Sequence, residues 1–230
     1  MGPHSAAVHQ MLTHLDRVGF VGAPRVLRVD PVAQTETLTF LEGEVANYPP
    51  PPNFTAERAM ISAAQLLRRL LDAMDTFTIT EIAKWWLPRV EPVQTVVHGD
   101  FAPYNCVIRN GDVVGVFDFD TAHPAPRIWD VGYAAYRWVP LVAPTNPDRF
   151  GTEDDQIRRF PQFCAAYGVR DLSDVIDSAR QRLITMVETI RKFAAAGNTA
   201  FQQHLNDGHD ELYLQDAAYL ATNRARFTGS

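Results

Sequence analysis

The amino-acid sequence predicts an α+β protein, and three observations carry that prediction. Apolar residues recur at helical spacing over residues 5–18, 56–75 and 173–195. Two runs near the N-terminus alternate apolar and polar residues instead, as half-buried strands do. A further strand pair is signalled by Asn110-Gly111, flanked on both sides by apolar runs. The mixed N-terminal piece is segregated from a mostly helical remainder, which favours α+β over an alternating α/β order.

Taken in order, Val8, Leu12, Leu15 and Val18 mark one face of a first helix over 5–18, ended by Gly19. Residues 25–30 and 35–43 alternate and are rich in β-branched side chains, with Asp30-Pro31 between them, so a hairpin is expected. The proline run at 49–52 breaks regular structure. Thr55 is expected to cap a long amphipathic helix lined by Met60, Ala64, Leu67, Leu71 and Met74, with Glu57 in its first turn. A shorter helix is expected over 80–87, stopped by Pro88. After the central hairpin, helices are expected near 153–167, 173–195 and 199–225. The middle one carries a stripe from Val175 and Ile176 through Leu183 to Ile190.

Composition limits the functional classes. A net charge of −6 argues against a general nucleic-acid binder. Two cysteines, Cys106 and Cys164, are too few for a thiolate metal site, and Cys106 reads as a small buried hydrophobe. No apolar run is long enough to span a membrane, and the first residues lack a signal-peptide pattern. A cytoplasmic protein is the expectation. The four tryptophans are assigned to the core, His204 and His209 to an exposed surface, Asp112 to a solvated turn and Arg68-Arg69 to a solvated helix face.

The chemistry concentrates in residues 96–120, where four aspartates, two asparagines and a histidine adjoin strands. A two-residue turn at Asn110-Gly111 sets Arg109 opposite Asp112. Counting back places Val107 opposite Val114, Cys106 opposite Gly115 and Asn105 opposite Val116. Asn105 and Asp118 then project from one face, roughly 7 Å apart on the diagonal. An amide oxygen and a carboxylate at that separation suit one hard cation such as magnesium, with substrate phosphates completing its shell.

His98-x-Asp100-x-x-x-x-Asn105 reproduces the spacing of a kinase catalytic loop, and Asp118-Phe119-Asp120 stands where a kinase has Asp-Phe-Gly. With His98-Gly99-Asp100, Asn105 and Phe117-Asp118-Phe119-Asp120, the stretch resembles the aminoglycoside phosphotransferase and choline kinase family, and 121–141 and 38–45 are similar to it as well. The resemblance implies a two-lobed protein-kinase-like fold. Residues 1–43 would form a shortened N-terminal lobe of helix and hairpin ending in the hinge, and 44–230 a helical catalytic lobe. It further implies Asp100 as catalytic base and Asn105 and Asp118 as magnesium ligands. Backbone near Phe40, Leu41 and Glu42 would hold the base of ATP or GTP, and His98 and Asp130 would support the loop. Asp120 is either a turn cap or a contact to a second metal or the substrate. The acceptor would be the hydroxyl of a small molecule.

The sequence departs from that pattern in its N-terminal part. No glycine-rich loop is present, and the first lysine is Lys84, past the hinge. His9, Arg17, Arg25 and Arg28 are the cations available to replace the usual lysine. The rival expectation is a pseudokinase-like module that binds nucleotide or a partner without transfer. A metal-dependent hydrolase using the same acids is a weaker third, since the spacing matches transferases.

Overall fold

The computed structural model describes residues 1–80 and 82–229. Helix α1 (Ser5–Arg17) buries Val8, Leu12 and Leu15 as its spacing requires. Strands β1 (Val26–Asp30) and β2 (Thr35–Leu38) pair antiparallel, with Asp30 opposite Thr35. The second strand is shorter than expected, because the chain leaves the ladder after Leu38. Residues Glu44 and Val45 then form β3, which pairs with a strand of the central hairpin. Pairing elsewhere is what ends β2.

The proline run makes a helical turn of its own, α2 (Pro52–Thr55), followed by α3 (Glu57–Ala73). Thr55 therefore lies inside α2, its hydroxyl donating to the Pro52 carbonyl, and Ala56 takes the N-cap position of α3. Met60, Ala64, Leu67 and Leu71 are buried along α3, and Met74 in the 3-10 turn (Met74–Thr76) that follows it.

No helix forms over the described residues between 80 and 87; Glu81 lies outside them. An eight-residue helix stopped by proline has too few hydrogen bonds to offset the cost of nucleation. Packing holds this segment instead. Trp85 lies against the core, and Trp86 stands 6.0 Å from the rings of both Phe193 and Phe201. Of the four tryptophans, Trp129 and Trp138 are buried, so the core assignment holds for these two and in part for Trp85.

Strand β4 (Thr95–Val97) leads into the candidate loop and pairs antiparallel with β7 (His123–Ala125). Between them lies the hairpin of β5 (Cys106–Arg109) and β6 (Asp112–Val116), which with β3 makes a three-stranded sheet in the order β3-β5-β6. The remainder is helical: α4 (Arg127–Trp138), α5 (Glu153–Tyr167), α6 (Leu172–Ala195), α7 (Thr199–Asn206), α8 (His209–Thr222) and α9 (Arg224–Thr228). The single helix expected over 199–225 is thus three, broken at Asp207-Gly208 and at Asn223. Helix α6 packs against α4, α7 and α8, and α5 packs against α3. Apolar residues of α1, α3, α4, α5, α6 and the central strands join one continuous core, which includes Cys106 and Cys164. Among the described residues no helix is long and apolar enough to cross a membrane.

One buried group of this core sets a pH dependence. His123 is 2% exposed, and its Nδ1–H donates to the Thr121 carbonyl at 2.8 Å. Burial, with the Arg182 charge adding, pushes the imidazole down to about 4. Between that value and the unfolded pKa of about 6.5 the unfolded chain binds more protons than the folded one. The contribution of His123 is therefore complete above about pH 6.5 and is lost as pH falls through the folded pKa, by an amount on the order of 3 kcal/mol. Urea unfolding at successive pH values should show this slope, and His123→Gln should flatten it. A slope unchanged in the variant would assign it to other groups.

Candidate active site

The loop that follows β4 is held by side chains from three other elements. The Asp130 carboxylate, in the first turn of α4 and fully buried, accepts from the amides of His98 at 2.8 Å and Gly99 at 2.9 Å. Arg182 of α6 donates to the Gly99 carbonyl at 2.7 Å, and Thr121 donates to the His98 carbonyl at 3.0 Å. Gly99 has φ of +84°, and a Cβ there would stand 2.4 Å from the Thr121 oxygen, so no side chain fits. His98 is itself buried. Its Nδ1 accepts from the Asp100 amide at 3.2 Å, so the proton sits on Nε2, which donates to the Phe117 carbonyl at 2.9 Å. That bond ties the loop to the end of the hairpin.

Asp100 emerges from this frame with both oxygens engaged. Oδ1 accepts from the Tyr104 hydroxyl at 2.6 Å, and Oδ2 from Asn105 Nδ2 at 2.9 Å. Asn105 Nδ2 also donates to the Asp100 carbonyl at 2.9 Å. With both amide hydrogens turned to Asp100, Oδ1 is the atom of Asn105 left to accept or to ligate. Asn105 lies in a 3-10 turn (Pro103–Asn105), outside the strand that follows.

The hairpin turn forms as expected, with positive φ at Asn110 (56°) and Gly111 (84°) and Arg109 opposite Asp112. The expected register holds through Ile108 opposite Val113 and is wrong beyond it. A bulge leaves Val114 unpaired, so Val107 faces Gly115 and Cys106 faces Val116. The Asn105 carbonyl accepts from Phe117 at 2.9 Å, which puts Asn105 level with Phe117. Asn105 and Asp118 therefore do not share a hairpin face. The signal was Gly115, since a glycine inside a strand often marks a bulge.

Asp118 lies beyond the end of the ladder. It adopts a left-handed conformation (φ 62°, ψ 69°) that turns the chain into a 3-10 turn (Phe119–Thr121). A non-glycine residue held in this region is strained, and such strain concentrates at functional sites. Burial, reinforced by the neighbouring Asp120 and Asp100 charges, holds the Asp118 carboxyl above its ordinary range. Asp120 is mostly exposed and stands 3.5 Å from His4 Nε2 at the start of α1. Burial likewise raises the Asp130 carboxyl, which two amide donors oppose. Among the described residues no group of three His, Cys, Asp or Glu side chains is arranged to hold a metal by itself. A cation gripped by Asn105 and Asp118 would thus take its remaining ligands from phosphate and water.

Phe40, Leu41 and Glu42 lie outside the β2 ladder, with the Phe40 side chain 85% exposed. Phe40 and Leu41 border an apolar cavity of about 340 Å³ that is also lined by Val45, Val107 and Phe117. A larger cavity of about 680 Å³ also borders Phe40, Leu41 and Glu42, and is lined by α3 and β6 and by none of Asp100, Asp118 and Asp120. Each cation considered as a lysine substitute is engaged within the N-terminal segment. His9 pairs with Glu36, Arg17 with His14, Arg25 with Asp16 and Arg28 with Asp30. Asp112 is paired with Arg58 rather than simply solvated, and Arg68 with Asp72.

A third cavity, about 350 Å³, shares Tyr104 with Asp100 and is lined also by Tyr48, Arg137, Asp148, His204 and His209. The two histidines are not the exposed pair the sequence suggested. Both are half-buried, and their Nδ1 atoms lie 2.8 Å apart. Sequence reasoning missed Tyr104, Arg137, Arg182 and Thr121. Only their position in the folded chain distinguishes them.

An α+β fold in which a strand delivers a pinned aspartate, an asparagine five residues on and a second acid after a hairpin defines a protein of the kinase-like class. Comparison with known proteins agrees. The model of the phosphotransferase enzyme family (APH) matches residues 47–175, more than half of the chain. The trifolitoxin immunity protein of Rhizobium leguminosarum bv. trifolii is 30% identical over 198 residues, covering 84% of this chain and 72% of that protein. The crystal structure of a proposed aminoglycoside phosphotransferase from Ralstonia eutropha JMP134 superposes with a TM-score of 0.63 at 14% identity, over 94% of this chain and 82% of that one. An aminoglycoside phosphotransferase from Alicyclobacillus acidocaldarius gives 0.56 at 15% identity, over 100% and 85%. The chain belongs to the APH phosphotransferase family.

Proposed function

We propose that the protein moves the γ-phosphoryl group of ATP or GTP onto a hydroxyl of a small molecule. The observation that carries the reading is the Asp100 carboxylate held by Asn105 at 2.9 Å, with the Asp118 carboxyl near enough to feel the Asp100 charge. Asp100 accepts the proton of the acceptor hydroxyl as its oxygen bonds to the γ-phosphorus and the bridging bond to the β-phosphate breaks. Tyr104 and Asn105 fix the orientation of that carboxylate. Asn105 Oδ1 and Asp118 suit magnesium, because both are hard oxygen donors and because the crowding of Asp118 by Asp100 and Asp120 would be relieved by a cation. When bound, magnesium would neutralise charge on the transferring phosphoryl group. The nucleotide base would lie in the apolar cavity beside Phe40 and Leu41, next to backbone that includes Glu42. His98 and Asp130 hold the loop in place. Asp120 remains a candidate contact to substrate or a second cation.

The same reading divides the chain at the hinge, into 1–43 and 44–230. It places the protein in the cytoplasm, acting on a small molecule rather than on nucleic acid or membrane, in keeping with the net charge of −6. A binding module without transfer activity is the second reading, favoured by the absence of any lysine before Lys84 and of a glycine-rich loop. An immunity role like the one named for the Rhizobium relative is compatible with either, by modifying a toxin or by binding it.

Calorimetry with ADP separates the two readings. Magnesium should tighten ADP binding by about tenfold or more, and Asp118→Ala should abolish that gain, since one charge-assisted contact is worth roughly 1.5–3 kcal/mol. Binding that ignores both magnesium and Asp118→Ala would assign the protein to the binding class.

A further inference from the structure

The cavity that shares Tyr104 with Asp100 has a chemistry of its own. Tyr104 joins the two, since its hydroxyl donates to Asp100 while its ring lines the cavity wall. A wall of tyrosine faces would ordinarily attract a ligand cation. Here the chain has occupied those faces itself. The Arg137 guanidinium lies 4.6 Å from the centre of the Tyr48 ring and 5.6 Å from those of Tyr104 and Tyr136. Arg137 is 7% exposed, yet it is poorly paired. Its Nη2 donates to Asp148 at 3.3 Å, long for a charge-assisted bond, and its buried Nε has no acceptor. Asp148 is the one carboxylate among the described residues lining this cavity. His204 and His209 add no negative charge.

We infer that this cavity takes a carboxylate-bearing alcohol with an aromatic or apolar body, rather than a polycationic acceptor. The inference rests on the phosphotransferase reading for the fate of the hydroxyl. The ligand carboxylate pairs with the flat fork of Arg137, competing with the loosely held Asp148. Its body lies against Leu212 and Tyr213, the part of the wall that Arg137 does not cover, and its hydroxyl points to Asp100. A polyamine meets the like charge of Arg137 in a desolvated wall and finds a single acid, already engaged. The volume of about 350 Å³ suits a small molecule.

The test is calorimetry on the whole chain with 4-(hydroxymethyl)phenylacetate, its neutral amide and kanamycin. The carboxylate should bind about tenfold or more tighter than the amide, and kanamycin weakest. Asp148→Asn, on an accessible loop, should tighten the carboxylate further, a gain that a damaged fold does not produce. Arg137→Met should erase the preference. Equal binding of acid and amide, tighter binding of kanamycin, carboxylate affinity weaker than about 10 mM, or no gain in Asp148→Asn each overturns the inference. Transfer of label from ATP is scored separately. Acid preference without transfer sinks the phosphotransferase reading alone, and transfer favouring amide or kanamycin sinks this inference alone.

Discussion

Asp100→Asn is expected to lower kcat for phosphoryl transfer by about 10²–10⁴-fold, the range that a positioned general base contributes. The KM for nucleotide should change little, because the proposed role of Asp100 is toward the acceptor hydroxyl and not the nucleotide. The fold should tolerate the change. The introduced amide can keep its oxygen toward Asn105 Nδ2 and turn its own NH₂ group to the Tyr104 hydroxyl. That hydroxyl is then able to donate to Tyr133, 3.1 Å away. Melting within about 2–4 °C of the wild type, the shift expected for roughly 1 kcal/mol in a chain of this size, would confirm intact structure. Steady-state kinetics with labelled nucleotide reads the result. Turnover within tenfold of wild type would remove Asp100 from the chemistry.

Asp130→Ala should have the largest effect on stability. The carboxylate is fully buried and satisfies two amides that have no other partner in the loop. Removing it strands both donors and opens a small cavity, at a cost of about 3–5 kcal/mol. For a chain of this size that corresponds to a fall in Tm of roughly 6–20 °C. Burial also holds the Asp130 carboxyl above its ordinary range, so the charge itself is costly and the two hydrogen bonds offset that cost. Its value lies in fixing the backbone beneath Asp100. Transfer should therefore fall even at temperatures where the variant stays folded. A Tm shift under about 2 °C would mean that water or a rearranged loop replaces the carboxylate.

Local features were legible from residue order. Helical spacing located α1, α3, α5 and α6, and Asn110-Gly111 located the hairpin, because the side chains within each element decide those patterns. The eight-residue spacing of His98, Asp100 and Asn105 was equally plain. Errors arose where a distant partner decides the outcome. Thr55 lost its capping place to a helical turn made by the prolines before it. The expected helix at 80–87 gave way to aromatic packing on α6 and α7. The register beyond Ile108 failed by one residue because a bulge inserts Val114, and a slip of one reverses every side chain.

By itself the sequence determined that this chain is α+β, and it singled out Asp100, Asn105 and Asp118, between Val96 and Asp120, as the candidate groups. Residue type and spacing suffice for that, since both are properties of the chain taken locally. Only the tertiary structure decided the backbone that carries those groups. A left-handed turn at Asp118 and a 3-10 turn at Asn105 take both residues off a shared pleated face. It alone decided, too, that Arg137 from α4 covers Tyr48 and Tyr104. Such contacts join residues far apart in the chain, and no local pattern encodes them.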